Sequence, residues 1–155
     1  MLRVTAIFFL IVKLSYANAV TLNPEPNLDL WTQGIIYAVA EDSQGRTYFA
    51  GTFTLFMGEP RSNLARVLAD GSLDQDYRPL IDGPIYKINL LSDQKLLIAG
   101  DFTNIDSISQ PNIAKIQTDG ALDTTWSPAV NDSIFAMTLG QQNDVLIGGD
   151  FTQVN

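Results

Sequence analysis

The clearest pattern in the chain is a series of short apolar runs broken by polar turns. Residues 85–91 are rich in β-formers, Ser92-Asp93-Gln94 is turn-like, and residues 95–102 are apolar again. Such a pair of runs predicts two strands of a hairpin. A longer polar loop follows, and residues 112–117 then alternate apolar with polar side chains, the mark of a half-buried strand. Thr118-Asp119-Gly120 supplies a turn with positive φ, leading to a fourth strand expected over residues 122–126. A 3.6-residue apolar rhythm is missing, so the expectation is an all-β chain.

The same pattern returns at a fixed interval of 49 residues. Ile36-Tyr37 recurs as Ile85-Tyr86 and as Ile134-Phe135, while Gly51, Phe53 and Thr54 recur as Gly100, Phe102 and Thr103, then as Gly149, Phe151 and Thr152. Asn63-Leu64-Ala65-Arg66-Val67 maps onto Asn112-Ile113-Ala114-Lys115-Ile116, and Asp70-Gly71-Ser72-Leu73-Asp74 onto Asp119-Gly120-Ala121-Leu122-Asp123, with no gap. Tyr77 and Trp126 close their units. Four short antiparallel strands per unit, at a period near 50, predict β-propeller-like blades, with a β-sandwich or another β-solenoid as alternatives. The boundaries are blade 1 at 36–84, blade 2 at 85–133 and partial blade 3 at 134–155. Residues 20–35 form a lead-in, in which Leu28-Asp29-Leu30-Trp31 matches the end of a preceding blade if a three-residue deletion follows it.

The strings LLIAGDFT and IAKIQTDGALDTTW resemble the delta-60 repeat family of exported bacterial proteins. The resemblance spans residues 36–155 and implies a propeller array in a secreted or surface protein; it implies no catalytic residues. About two and a half blades are encoded, whereas a closed propeller takes at least 4, or roughly 200 residues. The expectation is therefore a fragment of a longer propeller, with oligomerisation into a ring as the alternative.

Residues 1–19 follow the plan of a secretory signal peptide: Arg3 near the start, an apolar stretch over 4–12, and Ala17-Asn18-Ala19 before a cleavage expected at Val20. The apolar stretch is less than half the ~20 residues that span a bilayer, so no membrane insertion is expected after cleavage. Cleavage removes Arg3 and Lys13 but no acid, and the product is more acidic than the whole chain, whose net charge is −8. Acidity and the lack of a basic run argue against nucleic acid as a partner. The absence of cysteine fits a bacterial periplasmic, secreted or cell-surface protein better than a small secreted animal protein. Asn131-Asp132-Ser133 is a glycosylation sequon only in a eukaryotic host and otherwise a polar loop.

The chain has no His and no Cys, which removes Ser-His-Asp and Cys-His catalysis, imidazole metal sites and thiolate zinc. Gly148-Gly149 lacks the rest of a phosphate loop. Carboxylates are the remaining chemistry, and they recur at turn positions, which reads as structural; no catalytic residue and no cofactor is expected. Weak calcium candidates are Asp101, Asp106, Asp119 and Asp123, because calcium takes carboxylate and carbonyl oxygens, although the D-x-D-x-D-G spacing is missing. Tyr37, Tyr86 and Phe135 are expected to pack between blades, and Leu55 to Glu59 is the variable loop of the repeat, expected to tuck over the core.

Two functions follow from this reading. One is a non-catalytic scaffold or adhesion module for an unidentified protein or glycan. The other is the propeller part of a larger secreted carbohydrate-active enzyme whose catalytic groups lie outside this chain.

Overall fold

In the computed structural model, residues 32–141 and 144–155 are described. The signal-peptide segment and the proposed blade end at Leu28-Asp29-Leu30-Trp31 fall outside them. The first unit holds β1 (Gln33–Glu41), β2 (Thr47–Phe56), β3 (Glu59–Pro60) and β4 (Leu64–Val67). β2 is central: it pairs antiparallel with β1, with β4 and, at its far end, with β3. The second unit repeats this plan in β5 (Ile85–Leu90), β6 (Leu96–Gly100), β7 (Asn104–Ile105), β8 (Ile108–Ser109) and β9 (Ile113–Ile116). In the third, β10 (Ile134–Leu139) pairs with β11 (Val145–Gly149).

The 49-residue period holds at the level of single hydrogen bonds. The Gly51 amide donates to the Asn63 carbonyl at 3.0 Å, and the Gly100 amide to that of Asn112 at 2.9 Å. The turns repeat as well, even where the residues differ. Met57 and Gly58 carry φ of 52° and 79°, and Asp106 and Ser107 carry 49° and 67°. Two consecutive left-handed residues twist a two-residue turn in the sense that a tight hairpin needs. The positive-φ turn expected at Gly120 is present at φ 96°.

Two strand limits differ from the sequence reading. β1 starts at Gln33, inside the expected lead-in, because Gln33 and Gly34 pair with Leu55 and Phe53. The fourth strand contracts to one bridge per unit, Val67–Leu73 and Ile116–Leu122. The cause is the next residue: Asp74 Oδ1 accepts from the Asp76 amide at 3.1 Å, and Asp123 Oδ1 from the Thr125 amide at 3.1 Å. A side chain that captures nearby amides turns the chain away from the ladder.

Packing occurs between units as well as within them. Tyr48, Leu64 and Tyr77 of the first unit share one core with Ile85, Ile98 and Phe102 of the second. Leu97 and Ile113 of the second share another with Val130 and Ile134 leading into the third. Phe102, the aromatic of the GDFT motif, thus fills the space between two sheets, and burying such a ring contributes about 1.5–3 kcal/mol. Phe56 is fully buried against Phe49 and Phe53, but the stretch expected as a tucked loop is a hairpin: Leu55 and Phe56 end β2, Glu59 opens β3, and Gly58 and Glu59 are exposed. On the outer face of the third unit Leu146 is 60% exposed, while its counterpart Leu97 is 0% exposed.

Candidate functional site

A glycine in the second strand of each unit, inside β2 and at the ends of β6 and β11, controls the shape of the first strand. A Cβ on Gly51, Gly100 or Gly149 would lie 1.9, 2.1 or 2.0 Å from the carbonyl oxygen of Ile35, Pro84 or Ser133. Only glycine admits so close an approach. Opposite these glycines the register shifts, between Ile36 and Ala38, Ile85 and Lys87, and Ile134 and Ala136. Each shift is a β-bulge whose extra residue is the aromatic: Tyr37, Tyr86 and Phe135.

These aromatics meet across blades, as expected from sequence, but they do not join the blade cores, which corrects the expectation of core packing. Ile85, Ile88 and Leu90 of β5 belong to or pack on the first inter-unit core, but none of the three bulge aromatics joins a core cluster. The bulge takes the aromatic out of the strand's alternation and away from the core clusters. Tyr37 and Phe135 are 44% and 47% exposed. Instead the rings touch each other across units, Tyr37 to Tyr86 at 5.4 Å edge to face and Tyr86 to Phe135 at 5.5 Å. The result is one row of three rings along the first strands of three successive units.

The four acidic candidates are separately engaged. Asp123 is buried and pairs with Lys95 at 2.7 Å; that bond first, then those from Thr125, hold its carboxyl down to about 2. Asp119 Oδ1 caps its own turn by accepting from the Ala121 amide at 3.0 Å, and Asp106 Oδ1 accepts from the Leu80 amide at 2.9 Å. Asp106 and Asp119 share an open cleft with Asp76, where Arg78 supplies a counter-charge. Asp101 is exposed, outside that cleft and two residues beyond Ala99 of β6. Among the described residues no group of three or more acidic side chains is placed to hold a metal ion.

The polar ties between units had no assigned role in the sequence. Asp82 precedes β5, and its carboxylate accepts four hydrogen bonds, from the amides and side chains of Thr103 and Asn104, at 2.6–2.9 Å. Thr103 of the GDFT motif therefore bonds a carboxylate on the segment that leads into β5. Asn131 repeats the arrangement: its Oδ1 accepts from the Thr152 and Gln153 amides. The polar loop of the sequon is thus a structural clip. Arg66 stacks 4.0 Å over the Tyr77 ring, pairs with Asp74 at 2.7 Å, and donates to the Thr118 carbonyl of the next unit. Lys115 over Trp126 at 4.5 Å is its counterpart. The signal for these ties was the recurrence of Asn, Arg or Lys and Thr, but recurrence does not say what each side chain bonds.

Residues 43–77 and 91–125 match a family described as "Domain of unknown function (DUF5122) beta-propeller". Each matched stretch runs from the first turn of a unit to its closing aromatic or the residue before it. The matched units are β-propeller-like blades. No curated protein and no solved structure matches the chain. The Asp82 and Asn131 clips fasten the chain just before the strands that carry the aromatic row.

Proposed function

We propose that this propeller is a non-catalytic module, exported from the cell, that presents a binding surface to a protein or glycan. The observation that carries the reading is the row Tyr37, Tyr86 and Phe135, three large rings held outside every packing core. Aligned exposed aromatics on a rigid repeat scaffold are characteristic of interaction surfaces. The lack of His and Cys, and the use of carboxylates as turn caps and ion-pair partners, favour binding over catalysis.

Two measurements test the proposal. N-terminal sequencing of the protein recovered from a bacterial periplasm or medium should begin at Val20. Cells displaying the exported product should adhere to glycan- or protein-coated surfaces more than cells lacking it. Retention in the cytoplasm with Met1 intact would remove the exported role, and unchanged adhesion would remove the binding role.

A further inference from the structure

We infer that the row Tyr37, Tyr86 and Phe135 is a stacking platform for an uncharged oligosaccharide, a claim that rests on the binding role proposed above and names its site and ligand class. The first argument concerns exposure. Tyr86 has a unit on each side and keeps part of its surface open, less than the 44% and 47% of Tyr37 and Phe135 at the two ends, so the bulge position leaves a ring accessible even between two blades. A neighbouring blade buries residues such as Leu97 and Ile134 completely but covers the residue displaced by the bulge only in part, through the ring beside it.

The second argument is chemical. A pyranose has a face of C–H bonds and a rim of hydroxyls; the C–H face carries slight positive charge and meets the negative face of an aromatic ring. The rim then needs hydrogen-bond acceptors and donors at the edge of the platform. Asp101 and Asp150 stand there, since their amides donate to the carbonyls of Pro84 and Ser133, each two residues before a ring of the row. Asp101 lies close enough to Tyr86 that, after burial, its charge helps to raise the phenol above its ordinary range. The phenols of Tyr37 and Tyr86 add donors, and Thr52 stands in the place of Asp101 in the first unit.

The charges select among ligands. A net charge of −8, with Asp101 and Asp150 exposed at the row, repels uronate and sulfated glycans. Lys87, the exposed second residue of the bulge beside Tyr86, disfavours a quaternary ammonium group, which would otherwise suit aromatic rings near carboxylates.

The test is calorimetric titration of the full chain with β-1,4-linked hexamers of glucose and of N-acetylglucosamine, a β-1,3-linked glucose hexamer, and an oligogalacturonate. At least one neutral hexamer should bind, with a change in tyrosine fluorescence, and the galacturonate should not. Tyr86→Ala should weaken binding at least tenfold with a cooperative melt retained at a somewhat lower midpoint, because two ring contacts are lost; Tyr86→Phe, which keeps those contacts, should weaken binding less and leave the midpoint in place. A triple variant, Tyr37→Ala with Tyr86→Ala and Phe135→Ala, that binds like the unaltered chain would overturn the platform while leaving a glycan-binding scaffold elsewhere on the surface. Binding of no neutral hexamer would also overturn it, and adhesion to protein-coated surfaces would then show that the broader binding role survives. Preference for galacturonate, or for choline in a parallel titration, would replace the proposed ligand class.

Discussion

Asn112 holds a left-handed backbone, φ 63°, and its side-chain amide donates to the carbonyl of Val130 at 2.9 Å, joining the second blade to the strand that enters the third. Asn63 does the same one repeat earlier, with φ 67° and a 2.8 Å bond to Ile81. Asparagine is among the few residues that tolerate this conformation, and its amide satisfies a carbonyl in a buried junction.

Replacing Asn112 separates the two contributions. Asn112→Gly keeps the conformation and loses the bond, at a cost of about 1–3 kcal/mol. Asn112→Ala loses both, adding roughly 1–2 kcal/mol for the left-handed Cβ. Urea melts of the two variants should therefore differ, with the alanine form less stable; equal midpoints would show that the backbone conformation contributes nothing.

The adjacent glycines of the third blade should respond in opposite ways to one added methyl. A Cβ on Gly149 would sit 2.0 Å from the Ser133 carbonyl oxygen, whereas one on Gly148 would meet only Ala136 Cβ at 3.7 Å. Alanine already occupies the Gly148 position in the other units, as Ala50 and Ala99. Gly149→Ala should cost about 1–3 kcal/mol through forced displacement of the bulge. Gly148→Ala should be neutral or stabilise by about 0.4–1 kcal/mol by restricting the unfolded chain. Thermal denaturation of both variants distinguishes them, and a tolerated Gly149→Ala would mean that the bulge does not depend on the missing Cβ.

How much of this was legible beforehand depended on whether a residue acts through its type or through its register. Gly100, Phe102 and Gly120 recur with roles their residue types constrain, so blade, turn and inter-sheet packing could be read from the chain. Tyr86 could not be placed, because Ile85-Tyr86-Lys87 reads as simple alternation until Gly100 is set opposite and the bulge forms. Asp82 was hidden for another reason: its counterparts are Asn131 and Gln33, so the column shows no identity, although carboxylate and amide oxygens can accept the same backbone bonds. Aspartate patterns suggested calcium because carboxylates serve as ligands and as caps, and the difference lies in partners that only the fold supplies.

Those partners lead to a direct test of metal dependence. With Asp123 held by Lys95, and Asp106 and Asp119 accepting from backbone amides, calcium would have to displace existing bonds to gain ligands. A ligand stabilises only by binding the native form more tightly than the unfolded one. Adding millimolar calcium, or a chelator, should leave the melting midpoint in place; a rise with calcium that Asp119→Asn abolishes would establish a site at that turn.

Acid sensitivity should trace in part to Asp82. Burial alone would push its carboxyl up, but the bonds from Thr103 and Asn104 outweigh that effect and hold it well below the usual carboxylate range. An unfolded aspartate titrates near about 3.9. A carboxyl whose folded value is depressed stabilises the native state above that pH and loses its contribution as pH falls toward the folded value. Asp82→Asn keeps an oxygen for the Thr103 and Asn104 amides, as Asn131 does in the next unit, but removes the titration. Its melting midpoint should lie slightly below that of the unaltered protein at pH 7 and fall less steeply between pH 4 and 2. Asp123, also depressed, is present in both proteins, so the difference between the two curves isolates Asp82. Parallel curves over that range would show that the clip holds the strand without storing any of the protein's acid sensitivity.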